Sequence, residues 1–124
     1  MLKHDWKSFL DSTDNYDNTK LISSVEGHLG EFLTGYLIGN AGCSIADLVG
    51  ILDTNPSDRK RLILALWAAR YLGQAMSCEQ VKYWMTLSQP VLRDNSVCDL
   101  IREGYTKRVV EFIKSAQLPL PFSV

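Results

Sequence analysis

Asn55-Pro56-Ser57-Asp58-Arg59-Lys60-Arg61-Leu62-Ile63-Leu64-Ala65-Leu66-Trp67-Ala68-Ala69-Arg70-Tyr71-Leu72-Gly73 is the stretch that decides the fold. Asn55 stands where an N-cap belongs. Pro56 suits the first helical position, because the N–H it lacks would have no intrahelical partner there. From Leu62 to Ala69 the residues are apolar nearly all round. A helix without a polar face has no side to give to water, so this segment is expected at the centre of an all-α protein.

The flanking segments supply what would cover it. Ser44, with Asp47 three residues on, caps a short helix ending near Leu52. Ser77 and Gln80 have capping-box spacing and open a helix with Val81, Trp84 and Met85 inward, halted before Pro90. Asn95 or Ser96 opens the last helix, where Val97, Leu100, Ile101, Tyr105, Val109, Phe112 and Ile113 form one face. Upstream, Leu21, Ile22, Val25, Leu29, Phe32, Leu33, Tyr36 and Leu37 recur at helical spacing, which predicts one long amphipathic helix from Lys20 to about Ile38. Gly27, Gly30 and Gly35 interrupt that pattern at a cost that close packing can offset, with a break near Gly27 as the alternative. A short first helix over residues 4–10 carries Trp6, Phe9 and Leu10 and is followed by a polar loop over residues 11–19. Pro119 and Pro121 forbid helix in the last residues. The expected architecture is a compact bundle of five to six helices in a single domain over residues 1–124. It comprises a short helix and acidic loop over 1–19, a core bundle over 20–116, and an extended, proline-containing tail over 117–124.

Composition excludes several classes. Thirteen basic and fourteen acidic residues leave a net charge of −1, which disfavours a dedicated nucleic-acid binder without forbidding a local basic patch. Met1 to Lys7 contains no apolar run of the secretory kind, and the longest uncharged run, Phe32 to Ala46, is too short and too polar for a membrane span. Cys43, Cys78 and Cys98 lack C-x-x-C spacing and read as free thiols, so a reducing compartment, the cytoplasm, is expected. His4 and His28 do not converge with paired cysteines on a zinc pattern, and His28 with Glu31 reads as a surface pair. Counted from Asp11, the sixth and twelfth positions of a calcium loop hold Tyr16 and Ile22, where glycine and glutamate are needed. Spacing alone does not put His28 beside a cysteine, so no activated nucleophile is identified. The glycines from Gly27 to Gly50 match no phosphate-cradling fingerprint. The expectation is a protein without cofactor, metal or catalytic residues.

Ser44 to Leu72 reads as a cap, a short helix, a turn through Asp53-Thr54-Asn55-Pro56 and a longer helix. With Ile45, Leu48, Leu52, Leu62, Ala65 and Leu66 as its core, it resembles the helix-turn-helix of winged-helix domains. It is also similar to the N-terminal dimerisation domains of some small-molecule methyltransferases. The first resemblance implies a DNA-binding regulator, with Arg59, Lys60 and Arg61 at the start of the recognition helix; the second implies a dimerisation module. Asp58 before the basic cluster, and a wing region poor in basic residues, count against DNA. Three cations in a first helical turn oppose the helix dipole, which favours a partner for them.

Other segments offer a surface to a protein. The tail residues Leu118, Leu120 and Phe122 are unusually apolar for a terminus: they read first as a strap across the protein's own core, and otherwise as a segment offered to a groove on a partner or a second copy. Trp6, on the short first helix, presents the same choice. Tyr83 and Trp84 are adjacent, so on a helix they diverge by about 100° and one of them is expected at the surface. The function expected is a non-enzymatic protein-binding accessory, of the immunity or antitoxin, secretion-chaperone, adaptor or anti-regulator kind. Its partner is another protein or a second copy of the chain, with nucleic acid in the alternative reading and no membrane.

Overall fold

The computed structural model describes residues 6–116, which form eight α-helices and two 3-10 turns. The helices are α1 (Trp6–Ser12), α2 (Asn18–Leu29), α3 (Glu31–Leu37), α4 (Ile45–Thr54), α5 (Pro56–Leu72), α6 (Cys78–Thr86), α7 (Val97–Glu103) and α8 (Thr106–Ser115). The 3-10 turns are Thr13–Asn15 and Pro90–Leu92. Among the described residues the only β feature is an isolated bridge between Gln89 and Asn95. The expected tail over 117–124 lies outside the described residues.

As its composition requires, α5 is the axis. Every residue from Leu62 to Ala69 is buried, and α5 packs against each of the other seven helices. Trp67 has no exposed surface; Trp6 meets its ring edge-on at 5.8 Å, and Tyr71 tilts against it at 5.1 Å. The helix starts agree with the capping chemistry. Ser44 accepts from Asp47 N–H at 3.2 Å, and Ser77 and Gln80 form a reciprocal capping box. Asn55 occupies the N-cap of α5 but makes no side-chain cap bond; its carbonyl accepts from Asp58 and Arg59 instead.

The described residues hold eight helices, not five to six, because glycines cut the two long apolar patterns. Gly30, at φ 89°, separates α2 from α3, and Gly27 remains inside α2. The Gly30 N–H still donates to Glu26, and its carbonyl accepts from both the backbone and the hydroxyl of Thr34, so the two helices abut at one hinge residue. Gly104, left-handed at φ 88°, ends α7; the Tyr105 N–H reaches back to Leu100 at 2.9 Å in a Schellman closure, and α8 begins at once. The expected loop over residues 11–19 is also largely ordered. The α1 helix runs on to Ser12, a 3-10 turn follows, and Asp17 caps α2 by accepting from Lys20 N–H at 2.7 Å.

A Cβ added at Gly27 or at Gly30 would meet nothing within 4 Å, so backbone conformation decides both substitutions. Gly27→Ala should stabilise the protein by about 0.5–1 kcal/mol, because alanine loses less freedom in a helix. Gly30→Ala should destabilise it by about 1–3 kcal/mol, the cost of holding an L side chain in a glycine conformation. Urea midpoints of the two variants should move in opposite directions.

Candidate functional site

Six large hydrophobic side chains among the described residues are exposed: Phe32, Ile45, Tyr83, Leu87, Val91 and Tyr105. Most of them come from two stretches, with Phe32 on α3 and Tyr83, Leu87 and Val91 on α6 and the segment after it. Tyr83 and Leu87 are four residues apart and lie on one side of α6 and its C-cap. Phe32 and Thr86, the last residue of α6, line the same cleft of about 180 Å³. Phe32 also borders a second cleft, of about 370 Å³, with Glu31, Cys43 and Ser44. It therefore stands as a ridge, 66% exposed, between two hollows.

That ridge is held in place. The Phe32 ring stacks on Tyr36 at 6.4 Å with 19° between the planes. The Tyr36 hydroxyl donates to Asp99 Oδ1 at 2.7 Å, and the Arg102 guanidinium lies 4.7 Å from the Tyr36 ring. Asp99 Oδ2 accepts from the Ser96 N–H at 3.1 Å, closing the capping box of α7. Burial pushes the Asp99 carboxyl up, but the hydrogen bonds from Tyr36 and Ser96, with the Arg102 charge, outweigh it and hold the group below its ordinary value. The same hydrogen bond to Asp99, with burial added, raises the Tyr36 phenol. One carboxylate thus ties α3 to α7 and fixes the aromatic pair.

The residues singled out in the sequence divide. Tyr83 is exposed, while its neighbour Trp84 is half-buried and stacks on Phe112 at 5.6 Å. Trp6 is half-buried, with its ring against Trp67. Leu118, Leu120 and Phe122 lie outside the described residues. Arg59 donates to Asn18 Oδ1 and the Tyr16 carbonyl, both at 2.6 Å, and to the Thr13 carbonyl at 3.2 Å. Arg61 pairs with Asp58 at 2.9 Å and donates to the Arg102 carbonyl at 3.0 Å. Only Lys60 of the three is exposed. Phe32, which periodicity assigns to the core face of one long helix, escapes sequence reasoning because the break at Gly30 resets the register of α3.

Burial, with the charge of Asp99 adding to it, pushes the Cys98 thiol up to about 12, so it stays protonated and unreactive. His28 and Cys78 do line one cleft of about 320 Å³ with Arg70 and Gln74. There the Cys78 thiol donates to the His28 backbone carbonyl at 3.2 Å, which leaves the imidazole out of the contact. Burial and then the Arg70 charge lower the His28 pKa. No group of three or more potential metal ligands occurs among the described residues, and none of their helices is long and apolar enough to cross a membrane.

Tyr36→Phe should cost about 1.5–3 kcal/mol at neutral pH, the net value of a hydrogen bond to a charged group. Because the Asp99 pKa is depressed in the folded state, its contribution is complete above the unfolded carboxylate value of about 3.9 and is lost as pH falls through the folded one. The difference between wild type and variant should therefore shrink in acid, as urea titrations from neutral to acid pH would record. Arg59→Ala should cost about 2 kcal/mol by orphaning acceptors on the α1–α2 connection, whereas Lys60→Ala should stay within about 0.5 kcal/mol in the same assay. Set against models of protein families, curated proteins and solved structures, the chain matches none of them.

Proposed function

We propose that this is a non-enzymatic protein-binding accessory whose docking face is built from α3 and α6 around Phe32, Tyr83 and Leu87. The observation that carries the reading is the Phe32 ring, largely exposed yet stacked on a tyrosine that a carboxylate holds in place. Burying this ring in the protein's own core would serve stability better. Exposed and immobilised, it is a preorganised aromatic anchor of the kind that loses little entropy on binding. The fitting partner is a protein that receives the Phe32 ring and inserts an apolar side chain into the cleft beside it.

Immunity or antitoxin proteins, secretion chaperones, adaptors and anti-regulators are roles that need surface complementarity and no cofactor, and such a face would serve any of them. Absence of disulfides among Cys43, Cys78 and Cys98 supports a reducing, cytoplasmic setting. A DNA-reading helix has less support. Leu62 to Ala69 are buried on every side of α5, and Arg59 and Arg61 are bound inward, which leaves Lys60 alone of the basic cluster for a major groove.

The test is affinity capture from the native host with wild type and with Phe32→Ser/Tyr83→Ser, each with nuclease present. A stoichiometric protein partner retained by wild type and weakened about 30-fold or more by the double variant supports the reading, as expected when two anchor rings are removed. A partner that ignores both substitutions, or that disappears with nuclease, sinks it.

A further inference from the structure

A second surface, on other helices, carries a different chemistry. The Schellman turn at Gly104 starts α8 beside the N-terminus of α5, and Arg61 clamps that junction through the Arg102 carbonyl. One residue earlier on α5, Lys60 is left facing the first turn of α8. Lys60, Lys107 and Arg108 line a cleft of about 630 Å³ with Tyr105, Thr106 and Glu111. Among the described residues none of the three cations has an ion pair or a hydrogen bond through its side chain. Glu111 is the only acid in the lining, so the cleft is net positive in a chain whose net charge is −1.

Fold stability does not ask for this arrangement. Lys107 and Arg108 sit in the first turn of α8, which has no acidic residue and no side-chain cap. Cations there oppose the helix dipole and repel one another. Tyr105, 52% exposed, sits among them and offers its ring to solvent. Unpaired cations around an open aromatic ring are the combination that holds a flexible polyanion with stackable groups.

We propose that this cleft binds single-stranded nucleic acid, with phosphates on Lys60, Lys107 and Arg108 and a base stacked on Tyr105. A single strand is favoured over a duplex because only unpaired bases can use the Tyr105 ring. The site is independent of the protein-docking face on α3 and α6.

The experiment is fluorescence anisotropy of a labelled oligothymidylate about 12 nucleotides long, titrated with the full chain. Three phosphate contacts predict a log–log salt slope of about −2, so affinity should fall about 20-fold between about 50 and 200 mM salt. Lys60→Gln/Lys107→Gln/Arg108→Gln should abolish that slope and most of the binding. Tyr105→Ala should weaken binding about 10-fold and leave the slope unchanged. All four positions are at the surface or nearly so, and circular dichroism checks that each variant is folded; Lys60→Gln alone repeats the test should the triple variant unfold. The proposal is overturned if no saturable binding occurs at about 50 mM salt. It is equally overturned if the variants bind like wild type, if a duplex of the same length competes as well as the strand, or if inorganic pyrophosphate displaces the strand at equal concentration.

Discussion

The constraint on which the rest of the molecule depends is the apolar circumference of α5. A helix presenting Leu62, Ile63, Leu64, Ala65, Leu66, Trp67, Ala68 and Ala69 around its whole surface cannot tolerate water on any side. It must be wrapped, and a chain of 124 residues has to supply the wrapping from short pieces. Small alanines let neighbouring helices approach closely, while Trp67 needs a socket, which Trp6 and Tyr71 provide. Hence the first helix, which looks peripheral in the sequence, is part of the core, and Trp6 is an aromatic neighbour of the central tryptophan before it is anything else.

Wrapping one helix with seven forces the chain to turn often and abruptly, and the turns determine what is left outside. At Gly30 the helix direction changes within a single residue. Had the helix from Lys20 continued, Phe32 would have followed Leu21, Val25 and Leu29 onto the buried stripe. The reset instead turns Thr34 and Gly35 inward and leaves Phe32 in solvent. At Gly104 a similarly abrupt change carries α8 back across α5 and sets its basic first turn next to Lys60. The apolar ridge and the basic cleft thus both lie just after glycine breaks, Gly30 and Gly104.

This explains what could be read from the sequence. The all-helical class, the central position of α5 and the starts of α4, α6 and α7 were legible, because periodicity and capping are local signals carried by residues three or four apart. Ser44, Ser77 and Ser96 each make the bond their spacing promises. Helix number was not legible, since a glycine inside an apolar pattern is compatible with continuation, as at Gly27, or with a break, as at Gly30. The pairing of Tyr36 with Asp99 spans sixty-three residues, and that of Arg59 with Tyr16 forty-three, so neither leaves a local trace. Of the surface residues, Tyr83 could be anticipated from its adjacency to Trp84; Phe32 could not.

The run Arg59-Lys60-Arg61 shows how residue type sorts structural cations from available ones. A guanidinium is a planar fork with five donors, able to satisfy several carbonyls at once while shedding little hydration. Arg59 uses it that way on Asn18, Thr13 and Tyr16, and Arg61 on Asp58 and Arg102. These contacts tie the α5 N-terminus to α2 and α7, and they include the main-chain carbonyls of Tyr16 and Arg102. An ammonium is compact and strongly hydrated and would leave most of those acceptors unmet. Lys60, between the two, has no such set of acceptors, and its charge remains in solvent. Reading the three as one basic patch therefore merges two roles. The arginines are the bolts that allow α5 to begin where it does, and only the lysine, with Lys107 and Arg108 across the cleft, is left to meet something from outside.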